Sequence, residues 1–525
     1  MPASGHRLPD WVVCLLAFLA LLGVYHANGD FLPGHDATPN VYLPLSVLND
    51  GNLTFNAEEA PFMFLWKVQT DDGERYANFL RWEQDPWFRH AYDAGALGVL
   101  RERYFLTPTR RDGEYVGLSG IGAGLVAFPA IALLESFTGD LMTKPATLWH
   151  AAKTVAALLI AGSAILVYLI ARRYEPPLTA LLILCAYALG TNVWSTSSQA
   201  LWQHAPNTFF LTLGAWAWLR VPDARRFAML SGLCFAIAVM CRPTSAVYVL
   251  TALAFLVLVE RPALPAFLAG VLPIAAVLAW FNYTYLGSPF IFGQTSAGAA
   301  AISIGKTGSP EVWRPASVPL QAAGQLLSPS RGLLVFSPFL AFSFWGAWRI
   351  MRDSTLRWQQ PLVAGVLGVM LLTAAWVDWW GGWSYGPRLL VDTMPLMAVF
   401  LCPVMAWILK ERWRLGLFSL LIAWSILAQV VGAFAYDLGG WNNVLAYPVR
   451  LEDSDVPVFV GDRAEAEALA RARGGTVLDA VRRDIDKPEH RSRLWSVSDN
   501  QILHHLKHWS ESRENKKQIV DAWLR

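Results

Sequence analysis

The segment 28–44, NGDFLPGHDATPNVYLP, sets Asp30, His35 and Asp36 within one short stretch directly after an apolar run. A carboxylate so placed can accept a proton from a hydroxyl or amine nucleophile, or help hold a metal ion. The same residue types are also ordinary turn formers. Of the two carboxylates Asp36 is the first choice, because it opens an Asp-x-x-Pro block just ahead of the Tyr42-Leu43-Pro44 turn. Asp30 is the second. The trio leaves a dissociable divalent cation open, although its spacing is not that of an established metal site.

A second block, 378–388, reads DWWGGWSYGPR. Aromatic faces such as Trp383 and Tyr385 suit sugar rings and isoprenoid chains, and Arg388 suits bidentate contact with phosphate oxygens. Trp and Tyr also collect in interfacial belts, so an anchoring role stands beside the substrate role. Arg331, in the segment SPSRG at 328–332, offers the same phosphate chemistry or acts as a snorkelling anchor. Gln203 and His204 follow Trp202 where a helix should begin, and the histidine serves either as a proton acceptor or hydrogen-bond donor, or as a structural group. Arg242 interrupts an apolar run and cannot sit cheaply in lipid. It must face the bundle interior or a polar cavity, holding a phosphate or pairing with a buried carboxylate. Tyr42 completes the set of candidate substrate contacts.

The elements that must position these groups follow from hydropathy. The chain of 525 residues is 54% hydrophobic and only 16% charged, against about 25% charged in an average soluble protein. Its mean hydropathy is +0.35. Such an excess needs a lipid-facing surface. Lys and Arg number 42 against 40 Asp and Glu, a net charge of +2 that gives no reason to expect a nucleic-acid partner. Five cysteines lie in or beside apolar stretches without CxxC or Cys/His spacing, which argues against a disulfide framework or a zinc site.

Apolar runs of roughly 17–25 residues, the length that crosses a bilayer, fall near 11–27, 118–137, 148–171, 178–194, 205–220, 227–259, 263–284, 332–349, 361–377, 389–409 and 414–436. The run at 227–259 is long enough for two short spans broken at Arg242-Pro243. The first run lacks a small-x-small cleavage site and reads as an uncleaved span. Basic clusters at Arg172-Arg173, Arg220 to Arg226, Glu260-Arg261, Arg349 to Arg357 and Lys410 to Arg414 mark the cytoplasmic side. On that assignment 28–117, 194–206, 285–331, 378–388 and the tail face outward. Arg388 then stands outward, flanked by Pro387 and Leu389, against the local charge bias. A simple crossing at 118–137 would put Arg172-Arg173 outside, so that run is re-entrant or an extra crossing is hidden. The expectation is an all-α polytopic integral membrane protein with about 11–13 transmembrane helices.

Residues 1–440 form the transmembrane module, with 28–117 as the first outer loop. Within that loop, 58–111 alternates charges with Trp66, Trp82, Trp87, Phe88 and Tyr104, which predicts short amphipathic helices on the outer surface. Residues 441–525 read as a small, charged, peripheral tail. Two sequons, Asn52-Leu-Thr and Asn282-Tyr-Thr, are frequent by chance and carry no weight.

An uncleaved first span, an acidic motif heading a long first outer loop, and the block from Asp36 to Leu48 resemble the C-type membrane glycosyltransferase superfamily (GT-C). The similarity covers roughly 10–440 and is greatest to the bacterial branch related to protein O-mannosyltransferases and lipid A aminoarabinose transferases. It continues through 190–204, Arg242-Pro243, 282–289, 328–334 and 379–388. The resemblance implies a sugar taken from a polyprenyl phosphate, inversion at the sugar, and a first-loop carboxylate at the active site. The paired acidic signature of the mannosyltransferases is absent, since Asp36 stands between His35 and Ala37.

The leading expectation is therefore transfer of a hexosyl or pentosyl group from a polyprenyl-phosphate donor to an envelope lipid, glycan or protein. The site would lie on the outer face of the cytoplasmic membrane. Asp36 would deprotonate the acceptor while Arg388, with Arg331 or Arg242, neutralises the leaving phosphate. A transporter or flippase is the rival class, favoured only by Arg242. A polymerase or ligase of envelope glycans is a third, differing mainly in transferring a glycan.

Overall fold

The computed structural model describes residues 8–70, 73–78, 105–296, 299, 311–452, 457–460, 463–486 and 488–524. Among these the chain is mostly helical, with four short strands before residue 118 and a small sheet after residue 442. The apolar runs coincide with helices at Asp10–His26, Gly122–Thr138, Pro145–Ala171, Pro177–Gly190, His204–Trp218, Arg226–Cys241, Ala246–Leu258, Leu264–Phe281, Gln360–Ala374 and Arg412–Ala435. Pro145 and Pro177 open their helices, where a missing N–H costs nothing.

Three helices among the described residues are long and apolar enough to cross a membrane: Pro145–Ala171, Arg261–Leu286 and Arg412–Ala435. A fourth candidate is the pair Arg388–Val399 and Cys402–Lys410, bent by 63°. Five further apolar helices are shorter. This fits an all-α membrane protein. The run at 332–349 is interrupted: a single turn at Leu333–Phe336 ends before Pro338, and the helix Ala341–Arg352 follows.

Where helices pack, small residues let backbones approach. A Cβ on Gly232 would lie 2.2 Å from the Phe267 carbonyl oxygen, and one on Gly270 would lie 2.1 Å from that of Met229. The contact locks Arg226–Cys241 against Leu264–Phe281. Gly270→Val must push these backbones apart, and overpacking of this kind costs about 1–3 kcal/mol. The expected result is a lower thermal unfolding midpoint for the purified variant; an unchanged midpoint would show that the pair yields without strain.

The described part of 28–117 departs from expectation. It holds the helix Thr38–Leu45 and two hairpins, not amphipathic helices: β1 (Leu65–Thr70) with β2 (Gly73–Asn78), and β3 (Leu106–Pro108) with β4 (Tyr115–Gly117). Val68, Thr70 and Tyr76 favour extended backbone, and Gly73, the first residue of β2, pairs with Thr70. Trp82, Trp87, Phe88 and Tyr104 lie outside the described residues.

The tail builds a sheet in which β5 (Asn443–Leu451) pairs antiparallel with β6 (Val458–Val460), β7 (Gly475–Val477) and β8 (Val481–Asp484). The helix Arg463–Arg473 packs on it through Ala466 and Ala470. Two last helices, Gln501–Lys507 and Trp509–Leu524, return to the helical module. There Lys516 Nζ donates to the Ala433 carbonyl at 2.7 Å.

Burial holds the Lys516 ammonium down to about 8, against the pull of the Asp30 and Asp437 charges and with the push of Arg513; Lys153 also lies within electrostatic reach. The docked pKa is below the free value of 10.5, so below about 8 the docked helix bears the full cost of burying a charge. That cost is relieved as pH rises from about 8 to 10.5, where the docked form has lost a proton that the free form keeps. Amide hydrogen exchange in 509–524, corrected for its intrinsic pH dependence, should slow across this window in the wild type. It should not do so in Lys516→Met.

Candidate active site

Asp36 sits in the turn that launches Thr38–Leu45, where the Gly34 carbonyl accepts from the backbone N–H groups of Ala37 and Thr38. The segment is moored to 193–202: Leu32 N–H donates to the Gln199 carbonyl at 2.9 Å, and Asn28 Nδ2 to Gln199 Oε1 at 2.8 Å. Gly34 is required sterically, since a Cβ there would stand 2.8 Å from Nε1 of Trp202. The same indole lies under Arg388, whose guanidinium carbon is 5.1 Å from the ring centroid. Arg388 Nη1 donates to Asp36 Oδ2 at 2.8 Å, across 352 residues of sequence.

This pair stands on the wall of a cavity of about 1000 Å³, counting its open mouth. Gln203, Arg242, Ser119, Thr244, Gln294 and Asp378 add polar lining, and Trp313, Trp376, Leu372 and Leu389 add an apolar side. Gln203 Oε1 accepts from Gln294 Nε2 at 3.2 Å.

Arg242 reaches the cavity because the backbone is extended there, with φ −150 and ψ 112, as the following proline demands. Its Nη1 donates to the Leu389 carbonyl at 3.1 Å and to the carboxylate of Asp392. Asp392 also faces His204 Nδ1 at 3.2 Å and accepts from the Thr208 hydroxyl at 3.2 Å. All four side chains are buried. The Nε groups of Arg242 and Arg388 have no hydrogen-bond partner among the described residues. Two guanidinium groups thus border the cavity, and guanidinium chemistry suits phosphate oxygens.

Of the residues singled out from sequence, the structure brings Asp36, Arg388, Arg242 and Gln203 to one cavity. His204 stands behind it on Asp392. Asp30 lies elsewhere, its backbone carbonyl accepting from Lys153 Nζ. Arg331 is buried behind the 378–388 loop and donates to the carbonyls of Trp380, Ser330 and Gly382 and to Asn442 Oδ1. Tyr385 is buried too, its hydroxyl donating to the Ala428 carbonyl at 2.7 Å. Trp383 is more exposed and does not line the cavity. Tyr42 packs on Phe62 with centroids 4.6 Å apart and lines a separate, smaller pocket. Among the described residues no three His, Cys, Asp or Glu side chains converge as a metal site.

Asp392 and Asp378 were not singled out from sequence. Asp392 carried a usable signal: an acid inside the apolar run 389–409 is as costly in lipid as Arg242, and each implies the other.

A carboxylate and two arginines border a partly apolar cavity in a helical membrane module, and comparison with known families supports a C-type-like membrane glycosyltransferase. The model of the family described as dolichyl-phosphate-mannose-protein mannosyltransferase matches residues 145–285. The matched stretch contains Gln203, His204 and Arg242; Asp36 and Arg388 lie outside it. The match indicates a mannosyltransferase-like enzyme that uses a lipid-linked sugar donor. Comparison with curated proteins finds no match, and neither does comparison with solved structures.

Proposed function

We propose that this protein transfers a sugar from a polyprenyl-phosphate donor to a cell-envelope acceptor at the outer face of the cytoplasmic membrane, within a module of about 11–13 crossings. The observation that carries the reading is the Asp36–Arg388 pair on a cavity wall that Arg242 also borders.

In this reaction the bond between the anomeric carbon and the phosphate oxygen breaks, and a bond from that carbon to the acceptor oxygen or nitrogen forms. The polyprenyl phosphate leaves with the electron pair, and Asp36 takes the acceptor's proton. Arg388 and Arg242 offset the charge that grows on the departing phosphate, which is worth most in a site closed to water. Trp313, Trp376 and Leu389 provide an apolar side for the first isoprene units. The incoming phosphate competes with Asp36 for Arg388, so donor binding loosens the pair and frees the Asp36 carboxylate to face the acceptor. Arg331, turned to loop carbonyls, supports the loop rather than the phosphate. Asp30 takes no part in proton transfer, and inversion at the sugar is proposed from the superfamily resemblance alone.

The test is transfer of radiolabelled sugar from a panel of polyprenyl-phosphate donors by purified protein in lipid. Product from one donor is the expected result. Absence of turnover from every donor and acceptor class would overturn the reading.

A further inference from the structure

Asp36 and Arg388 come from two separate loops, and the C-terminal tail touches both. Gln501 is fully buried, and its amide pairs with the arginine loop as a neighbouring strand would. Its Oε1 accepts from the Gly386 N–H at 3.1 Å and its Nε2 donates to the Ser384 carbonyl at 2.8 Å. The Gly386 carbonyl in turn accepts from the Arg388 N–H at 2.9 Å. Gly386 holds φ +62, and Asn192 Nδ2 occupies the space a Cβ would need, at 2.4 Å, so the loop is held from both sides. At the other loop, Trp523 packs on His35, the residue before Asp36, with centroids 4.9 Å apart, and on Trp149 at 5.6 Å. Neither Gln501 nor Trp523 lines the cavity.

We propose that the tail sets the geometry of the site, with Gln501 as the positioning residue for Arg388 and Trp523 as that for Asp36. This rests on the reading of Arg388 as the phosphate contact and Asp36 as the proton acceptor. The two contacts reach different catalytic groups, so they carry different kinetic signatures: loosening Arg388 weakens grip on the donor, and loosening Asp36 slows the chemical step.

The experiment uses full-length protein in lipid, titrated with polyprenyl phosphate by intrinsic fluorescence and assayed with polyprenyl-phosphate mannose. Gln501→Met should weaken polyprenyl phosphate binding about tenfold, the scale set by small misplacements of a binding group. In an Arg388→Lys background it should weaken binding no further. Trp523→Leu should slow transfer about tenfold without weakening polyprenyl phosphate binding, since a loosened Asp36 competes no better for Arg388. Backbone hydrogen exchange across 378–388 should rise in Gln501→Met whether or not the protein turns over. Loss from Gln501→Met that adds fully to that of Arg388→Lys, or equal loss of binding in Trp523→Leu, would mean general loosening and overturn the proposal. Unchanged exchange in 378–388 would overturn it as well. If Arg388→Lys leaves polyprenyl phosphate binding intact, the phosphate role of Arg388 fails, and the exchange result alone decides whether the tail holds the loop. If Gln501→Met does not fold, the Trp523→Leu signature decides.

Discussion

Asp36→Asn should lower sugar transfer by about 10²–10⁴-fold, the range that a positioned proton acceptor contributes. The substitution keeps an oxygen that can accept from Arg388 Nη1, so the 2.8 Å contact and the moored 28–36 segment have no steric reason to move. What disappears is the negative charge and the ability to bind the acceptor's proton. Elution in size-exclusion chromatography as for the wild type, together with the lost turnover, assigns the effect to chemistry. Asp30→Asn serves as the comparison, because Asp30 is off the cavity wall, and its transfer should stay close to wild type. Equal transfer by Asp36→Asn and wild type would remove Asp36 from the mechanism.

The largest effect on stability is expected at Asp392. Its carboxylate compensates the buried guanidinium of Arg242 and meets His204 and Thr208 in the same pocket. Asp392→Asn leaves Arg242 buried without its counter-charge, and breaking a buried ion pair from one side costs about 3–5 kcal/mol. The double variant Asp392→Asn with Arg242→Gln removes both charges and should recover much of the lost stability, which is the signature of direct coupling. Thermal unfolding of the four proteins in detergent closes the cycle. Additive losses would show that Asp392 and Arg242 act independently. Transfer should remain low in the double variant even where stability returns, because the donor phosphate has lost one of its two cationic neighbours.

The helices were legible because hydropathy is a local property: apolar runs of the right length must be helical wherever backbone groups have no water to bond. The break at Arg242-Pro243 was equally local, since Pro243 forces its predecessor out of the helix. The hairpins at 65–78 and 106–117 were missed because aromatic residues spaced among charges suit a strand face as well as an amphipathic helix. The tail gave a subtler difficulty. Its charged composition says nothing of Gln501, an uncharged residue that acts through two hydrogen bonds to another segment's backbone.

Residue type by itself determined that this chain needs lipid, that Asp36 can accept a proton, that Arg388 and Arg242 suit phosphate, and that Arg242 must find a polar setting. Only the tertiary structure decided which of these groups meet. Asp36 and Arg388 touch because the 28–36 segment is moored on 193–202 and Trp202 lies under the arginine, while Arg331, of the same chemistry, is turned away to loop carbonyls. The physical reason is range: hydropathy and backbone preference act over a few residues. The choice of partner across 352 residues is made by helix packing, which sums many small contacts that no single stretch of sequence displays.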